Sequence, residues 1–352
     1  MRFVPVNCVR EGMKLGKTLL GENGQVLLSQ GVVLKGYYIE KIKQIGYNGI
    51  YIEDEITDNI YVTGIISDSL KIKTVKNLKE FFSSAHRDSN SLEYENVQKS
   101  VEMIVDEILE NKNLMVNMVD LKVFDNYTFY HSVNVAVLSI VIGVGLGLSR
   151  QKLYELGLAA LLHDIGKVFI PKEVLNKGER LNKEELDIIK QHTQIGYDYL
   201  KKKYDVPVLA YLGALQHHER YDGEGYPNKL AKDKISLYGR IISVSDVYDA
   251  LTSDRPYRPA LSPSEGMEYI LGGGGTMFDP EIVEIFSKKV APYPAGTKVR
   301  LSNGLTAMVM QNFEDACIRP LVKVIEKDDS WELDLRDRQC YSITIEDIAK
   351  TG

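Results

Sequence analysis

SVNVAVLSIVIGVGLGLS, the stretch from Ser132 to Ser149, runs without a single charge. A membrane-spanning helix needs about 20 predominantly apolar residues. This run is shorter, carries Asn134 and Ser139, and thins into Gly143, Gly145 and Gly147. It therefore reads as a helix buried at the centre of a large all-α core. His131 opens that helix, so an imidazole stands at the edge of what should be a dry interior.

Working outward, Ser149 can cap the next helix, whose apolar positions are Leu153, Leu156 and Leu158 to Leu162. That run ends in His163-Asp164, followed by Ile165-Gly166-Lys167. Asn182 and Glu185 form a capping-box pattern before Leu186, Ile188 and Ile189, and His192 is read on the helix they open. Ala214-Leu215-Gln216 leads into His217-His218-Glu219-Arg220-Tyr221-Asp222-Gly223-Glu224-Gly225-Tyr226-Pro227. Asp246 and Asp249 share one face of a further helix. Ser262-Pro263-Ser264-Glu265 and Asp279-Pro280-Glu281 each place Pro at a first helical position.

Residues 116–290 thus read as one strongly helical domain. Residues 1–56 read as a small β-rich unit, with an Asn23-Gly24 hairpin turn, a short helix over 37–45 and a strand at Ile50-Tyr51-Ile52. Residues 57–115 read as helices, either a linker or stalk or part of the central domain, with a loop from His86 to Tyr94. Pro292, Pro294 and Gly296 mark a boundary, and residues 291–352 read as a small β module with strands at 297–301, 305–310, 320–325 and 331–335. The fold class is mainly α, with a small N-terminal α+β unit and a small C-terminal β module.

The chain has 352 residues, a net charge of −6 and 44% hydrophobic residues. That composition is globular and excludes a disordered or collagen-like chain. The acidic balance argues against nucleic acid or an anionic membrane as partner. Cys8, Cys317 and Cys340 show no CxxC spacing and read as free thiols. Met1 to Arg10 has no apolar signal region, so a cytoplasmic location is expected.

Of the 6 histidines, only His86 lies outside residues 131–218. Buried imidazoles and carboxylates are costly unless paired or bound to metal. The donors His131, His163, Asp164, His192, His217, His218 and Asp246 exceed what one ion needs, so two ions are implied. Two metals can clamp the attacking and leaving oxygens of a phosphoester displacement. If the helix continued, Lys167 would share a face with His163; it reads as a phosphate contact or as a charge closing a helix. Asp249 reads as outer support of a ligand, as an ion-pair partner, or as the acid for the leaving group. Arg255 and Arg258 could hold a second phosphate bidentately. Tyr226 sits in a glycine-rich loop where it could meet a base or a phosphate. The Gly272–Gly275 run lacks the Lys-Ser/Thr of a phosphate loop and reads as a flexible connection.

His163-Asp164 with Gly166-Lys167, then His217-His218-Glu219, Asp222-Gly223 and Gly225-Tyr226-Pro227, resemble the HD-GYP family of metal-dependent phosphohydrolases. The resemblance covers about residues 120–290. It implies a helical core with a bi- or trinuclear site, often of iron or manganese, although zinc and nickel suit the same donors. It implies hydrolysis of cyclic di-GMP to pGpG, and in some members on to GMP. Carried over by position, the ligands are His163, Asp164, His192, His217, His218 and Asp246, with His131 as a further ligand. Lys167, Arg255 and Arg258 fall at phosphate-contacting positions, and Tyr226 is the loop tyrosine. Members with three metals carry Glu where this chain has Tyr127, so this departure leads us to expect two metals and puts the second cleavage, on to GMP, in question. The rival readings are a hydrolase of another cyclic dinucleotide, such as cyclic GMP-AMP, and a receptor that has lost ligands. A homodimer is compatible with the sequence but not specified by it.

Overall fold

The computed structural model describes all residues except 22–24, 46, 48, 54–63, 88–90, 112–114, 118–126, 176, 180, 204–205, 254–259, 294, 326–329 and 349–352. The N-terminal unit contains β1 (Arg2–Pro5), β2 (Lys14–Leu15), β3 (Leu19–Leu20), β4 (Val26–Leu28), α1 (Gly36–Ile45) and β5 (Gly49–Glu53). β5 lies between β1 and β2 in an antiparallel sheet, while β3 and β4 form a separate ribbon. The Asn23-Gly24 turn expected between them lies outside the described residues. Val4, Leu15, Leu34, Ile39, Ile42, Ile50 and Ile52 make the core of this unit, and Tyr130 of the central domain joins it.

α2 (Asp68–Ser84) and α3 (Ser91–Glu110) follow. Their apolar stripes, including Leu78, Phe81, Val97, Val101 and Ile104, belong to the same buried cluster as the central helices. A stalk would leave those stripes in water; here burial makes the two helices part of the main core. α3 begins at Ser91, so the polar loop expected from His86 to Tyr94 ends earlier.

The central domain comprises β6 (Val116–Asn117), α4 (Tyr127–Gly145), α5 (Arg150–Leu161), α6 (Lys172–Leu175), α7 (Lys183–Lys190), α8 (His192–Lys203), α9 (Val208–Gln216), α10 (Leu237–Thr252), α11 (Pro263–Gly272) and α12 (Pro280–Lys289). α4 is the run quoted at the outset. Its Val133, Val135, Val137, Leu138, Ile140 and Ile142 are fully buried. Asn134 and Ser139 are met by α10: Ser139 Oγ donates to Ser245 Oγ at 3.1 Å, and Asn134 Nδ2 donates to Asp249 Oδ1 at 2.9 Å. Among the described residues no helix is long and apolar enough to cross a membrane. Ser149, Asn182, Ser262 and Asp279 cap helices as their positions predict, and both capping boxes close reciprocally. The helix expected to run from Asn182 through His192 is two helices, broken at Gln191, so His192 opens α8.

β7 (Val290–Ala291) pairs in parallel with β6. The C-terminal module is an antiparallel sheet of β8 (Lys298–Leu301), β9 (Thr306–Gln311), β10 (Leu321–Val324), β11 (Glu332–Asp334) and β12 (Ile345–Ile348), in the order β11-β10-β9-β8-β12. β12 has no counterpart in the sequence reading. The module has its own core around Val299, Leu301, Val309, Val322 and Val324.

Candidate metal centre

The central core delivers its polar side chains to one point. α5 ends at Leu161, and His163-Asp164 lie in the turn that leads to a 3-10 segment, Ile165–Phe169. His192 opens α8, His217 caps the end of α9, and His218 follows it. His131 comes from α4 and Asp246 from α10. His163 and the His217-His218 pair therefore sit at helix ends, where their apolar runs stop.

Helix ends explain how the rings are aimed. His163 Nδ1 donates to the Ala160 carbonyl at 2.7 Å, His192 Nδ1 to Ile189 at 2.6 Å, and His217 Nδ1 to Ala214 at 2.8 Å. Each bond reaches a carbonyl three residues back and leaves Nε2 facing inward as an acceptor. His131 is held differently. Its Nδ1 donates to Asp249 Oδ2 at 2.7 Å, and Asp249 Oδ1 accepts from Asn134.

Two donor groups result, His192 with His217 and His218, and His131 with His163 and Asp164. Asp164 faces both. Its Oδ1 lies 3.4 Å from His192 Nε2 and 3.9 Å from His217 Nε2. Its Oδ2 lies 3.3 Å from His163 Nε2 and 3.9 Å from His131 Nε2. Asp246 Oδ1 is 3.1 Å from His131 Nε2, and its Oδ2 is 3.9 Å from His218 Nδ1. Lys167 donates to Asp164 Oδ2 at 2.5 Å. Because the chain turns at His163, Lys167 answers to Asp164 three residues back, and does not share a helical face with His163.

Burial alone would raise both carboxyl groups. At Asp164 the charges of Lys167, His163 and His192 outweigh it, and at Asp246 the hydrogen bond and charge of His131 do so, with His218. Both are held well below the usual carboxylate range. Burial pushes His217 well down, helped by the neighbouring imidazoles, and takes His218 down to about 3. Burial likewise lowers His192. Burial opposes the charge on His131 too, but Asp246 and Asp249 overcome it and raise the ring to about 9. Ionised Asp164 and Asp246 beside neutral His192, His217 and His218 are the protonation states that metal ligands require, whereas His131, held charged by its two carboxylates, must release its proton to a metal. His163 Nε2 and Asp164 Oδ1 are buried acceptors without a hydrogen-bond partner. Such orphans are costly in a dry interior, and a cation between the two groups satisfies both. The donor set fits metal.

Close backbone packing assembles the site. A Cβ on Gly166 would collide with the His192 carbonyl oxygen and come 2.8 Å from Gly196 N, so only glycine lets the 3-10 segment lie on α8. A Cβ on Gly225 would collide with Arg220 N and lie 2.5 Å from Glu219 Cα. Glu219, buried, accepts from Asn228 N at 2.7 Å and Leu230 N at 3.0 Å and closes the loop that carries Tyr226. Tyr226 stacks on His218, with ring centroids 4.7 Å apart. Tyr221 N donates to Met277 O at 3.1 Å and Asp222 N to Thr276 O at 2.8 Å. Thr276 and Met277, which brace this loop, directly follow the Gly272–Gly275 run, itself a turn closed by the Gly274 N to Leu271 O and Gly275 N to Phe278 O bonds.

Arg255 and Arg258 lie outside the described residues, as does the side chain of Tyr127. Asn134, Gly166, Gly196 and Glu219 are structural participants that the sequence reading left without a role. Asn134 was legible as a polar residue one helical turn after His131; the glycine contacts had no local signal.

A profile of the family described as HD domain matches residues 103–282. The chain is 40% identical over 225 residues to a cyclic di-GMP phosphodiesterase of Pseudomonas aeruginosa, covering 63% of this chain and 54% of that protein. It is 40% identical over 185 residues to a cyclic di-GMP phosphodiesterase of Thermotoga maritima, covering 52% and 48%. It is also 40% identical over 163 residues to a 3′3′-cGAMP-specific phosphodiesterase of Vibrio cholerae, covering 46% and 37%. The chain spans about half the length, or less, of these relatives. An HDG"Y"P protein from Bdellovibrio bacteriovorus shares the fold, with TM-score 0.53 at 19% identity, covering 81% of this chain and 97% of that one. A helical core that closes around paired His/Asp groups defines an HD-domain protein. The chain belongs to the HD-domain family, in its HD-GYP branch.

Proposed function

We propose that the chain is a metal-dependent phosphodiesterase that opens one phosphodiester bond of cyclic di-GMP to give pGpG. The observation that carries this reading is Asp164, whose two oxygens face two separate histidine groups. Relatives named as cyclic di-GMP phosphodiesterases support the choice of substrate.

His192, His217 and His218 would hold one divalent cation, and His131, His163 and Asp246 a second, with Asp164 between them. Iron or manganese is the first expectation, with zinc and nickel as the other candidates. Bound there, the ions supply activation of water and neutralisation of phosphoryl charge. Two ions are proposed rather than three because Tyr127, a poor ligand at neutral pH, stands in place of Glu.

Lys167, anchored on Asp164, directs its ammonium to a phosphoryl oxygen of the bond being cleaved. Arg255 and Arg258 hold the other phosphate. Tyr226, packed on His218, walls the substrate side. Asp249 spends both oxygens on His131 and Asn134, so its part is to orient His131. Hydrolysis adds hydroxyl to phosphorus and a proton to the departing 3′ oxygen, and that proton comes from solvent. The substrate is a diffusible nucleotide, in keeping with a cytoplasmic protein.

The test is metal analysis of protein purified without oxygen, with the product identified by mass from the same sample. Replacing His163→Ala together with Asp164→Ala should remove metal and lower turnover at least about a hundredfold, with a near-native helical spectrum. Retained turnover overturns the reading. The cGAMP-specific relative makes cyclic GMP-AMP the second substrate to try, at equal metal loading.

A further inference from the structure

Lys190 ends α7 two residues before His192, and its ammonium returns to the site. Its Nζ lies 5.5 Å from the centroid of the Tyr226 ring, the ring that stacks on His218. Its carboxylate neighbour is Asp187, 3.5 Å away on the same helix, with the two side chains 37% and 58% exposed. An exposed pair of this kind contributes little, so the charge stays available to a ligand. A cation over an aromatic ring is also held at a fixed standoff, which lowers the cost of using it.

The site therefore presents two unlike ammonium groups. Lys167 is tied to buried Asp164 at the centre. Lys190, the more exposed of the two, lies against Tyr226. A single phosphodiester placed at the centre meets only the first. A cyclic dinucleotide carries two phosphates in one ring, and the phosphate that is not cleaved must lie away from the centre. Resting on the phosphodiesterase reading above, we infer that Lys190 contacts this second phosphate and so makes the site select two-phosphate rings over simple phosphodiesters. It does so from α7.

The experiment compares cyclic di-GMP with bis(p-nitrophenyl) phosphate, which has one phosphate, on metal-loaded full-length protein. Lys190→Met removes the charge and keeps the bulk; Lys190→Arg keeps the charge. For Lys190→Met, the ratio of kcat/KM for cyclic di-GMP to that for the simple diester should fall about tenfold, chiefly through KM. Lys190→Arg should restore most of that ratio. If Lys190→Met changes both substrates equally, Lys190 only braces Tyr226 and the inference is overturned; an unchanged ratio overturns it as well. A native protein that hydrolyses neither compound overturns the functional reading itself, and this inference with it.

Discussion

The carbonyl oxygen of His192 occupies the space that a side chain on residue 166 would need. The contact joins the turn carrying His163 and Asp164 to the helix that begins with His192. Gly166→Ala should force these segments apart, at an overpacking cost of about 1–3 kcal/mol, and separate the two donor groups. Thermal melts and metal content should fall together. Gly178, with nothing within 4 Å of its Cβ position, is the matched control, and its replacement by Ala should leave both unchanged.

Protonation gives a second expectation, for the metal-free protein. His192, His217 and His218 are all lowered in the folded state, His218 to about 3. Below about pH 6.5 the unfolded chain takes up protons at these rings that the folded chain refuses. Stability should therefore fall as pH drops from about 6.5 to 4.5, by up to about 1.4 kcal/mol per pH unit for each ring. His131, raised to about 9, has the opposite sign. Its contribution is complete below about pH 6.5 and is lost as pH rises through 9. Melting temperature against pH should peak near neutrality, and Tm that keeps rising down to pH 4.5 would contradict the assignment.

Asp249 bears on metal affinity more than on folding. Asp249→Asn keeps the volume but weakens its grip on His131 Nδ1. Loss of such an outer partner typically costs 10–100-fold in metal affinity, so competition with a chelator should show a weakening of about that size. The helical spectrum should stay near native.

Glu219 controls the loop. Glu219→Ala would leave the Asn228 and Leu230 amides without their acceptor, at about 1–3 kcal/mol for each amide that stays buried. Hydrogen exchange should then accelerate across residues 223–230 while α4 and α5 stay protected. Activity should fall through displacement of Tyr226.

Most of the helical architecture was legible locally. The capping boxes at Asn182 and Ser262 and the caps at Ser149 and Asp279 close through bonds between residues two or three apart, so their sequence positions announce them. The burial of α4 followed from its uncharged run, and the five clustered histidines marked the donor set. What sequence left open depended on distant partners. Whether α2 and α3 form a stalk is decided by their packing on the central core, across long separations in the chain. β12 is set by its pairing with β8. The helix break at Gln191, the aim of each imidazole, and the division of Asp164 between two histidine groups arise only when several helix ends meet. Residue types and local spacing determined which donors this protein has; three-dimensional packing decided which atoms face one another, because ligand geometry is a relation between segments that no single segment encodes.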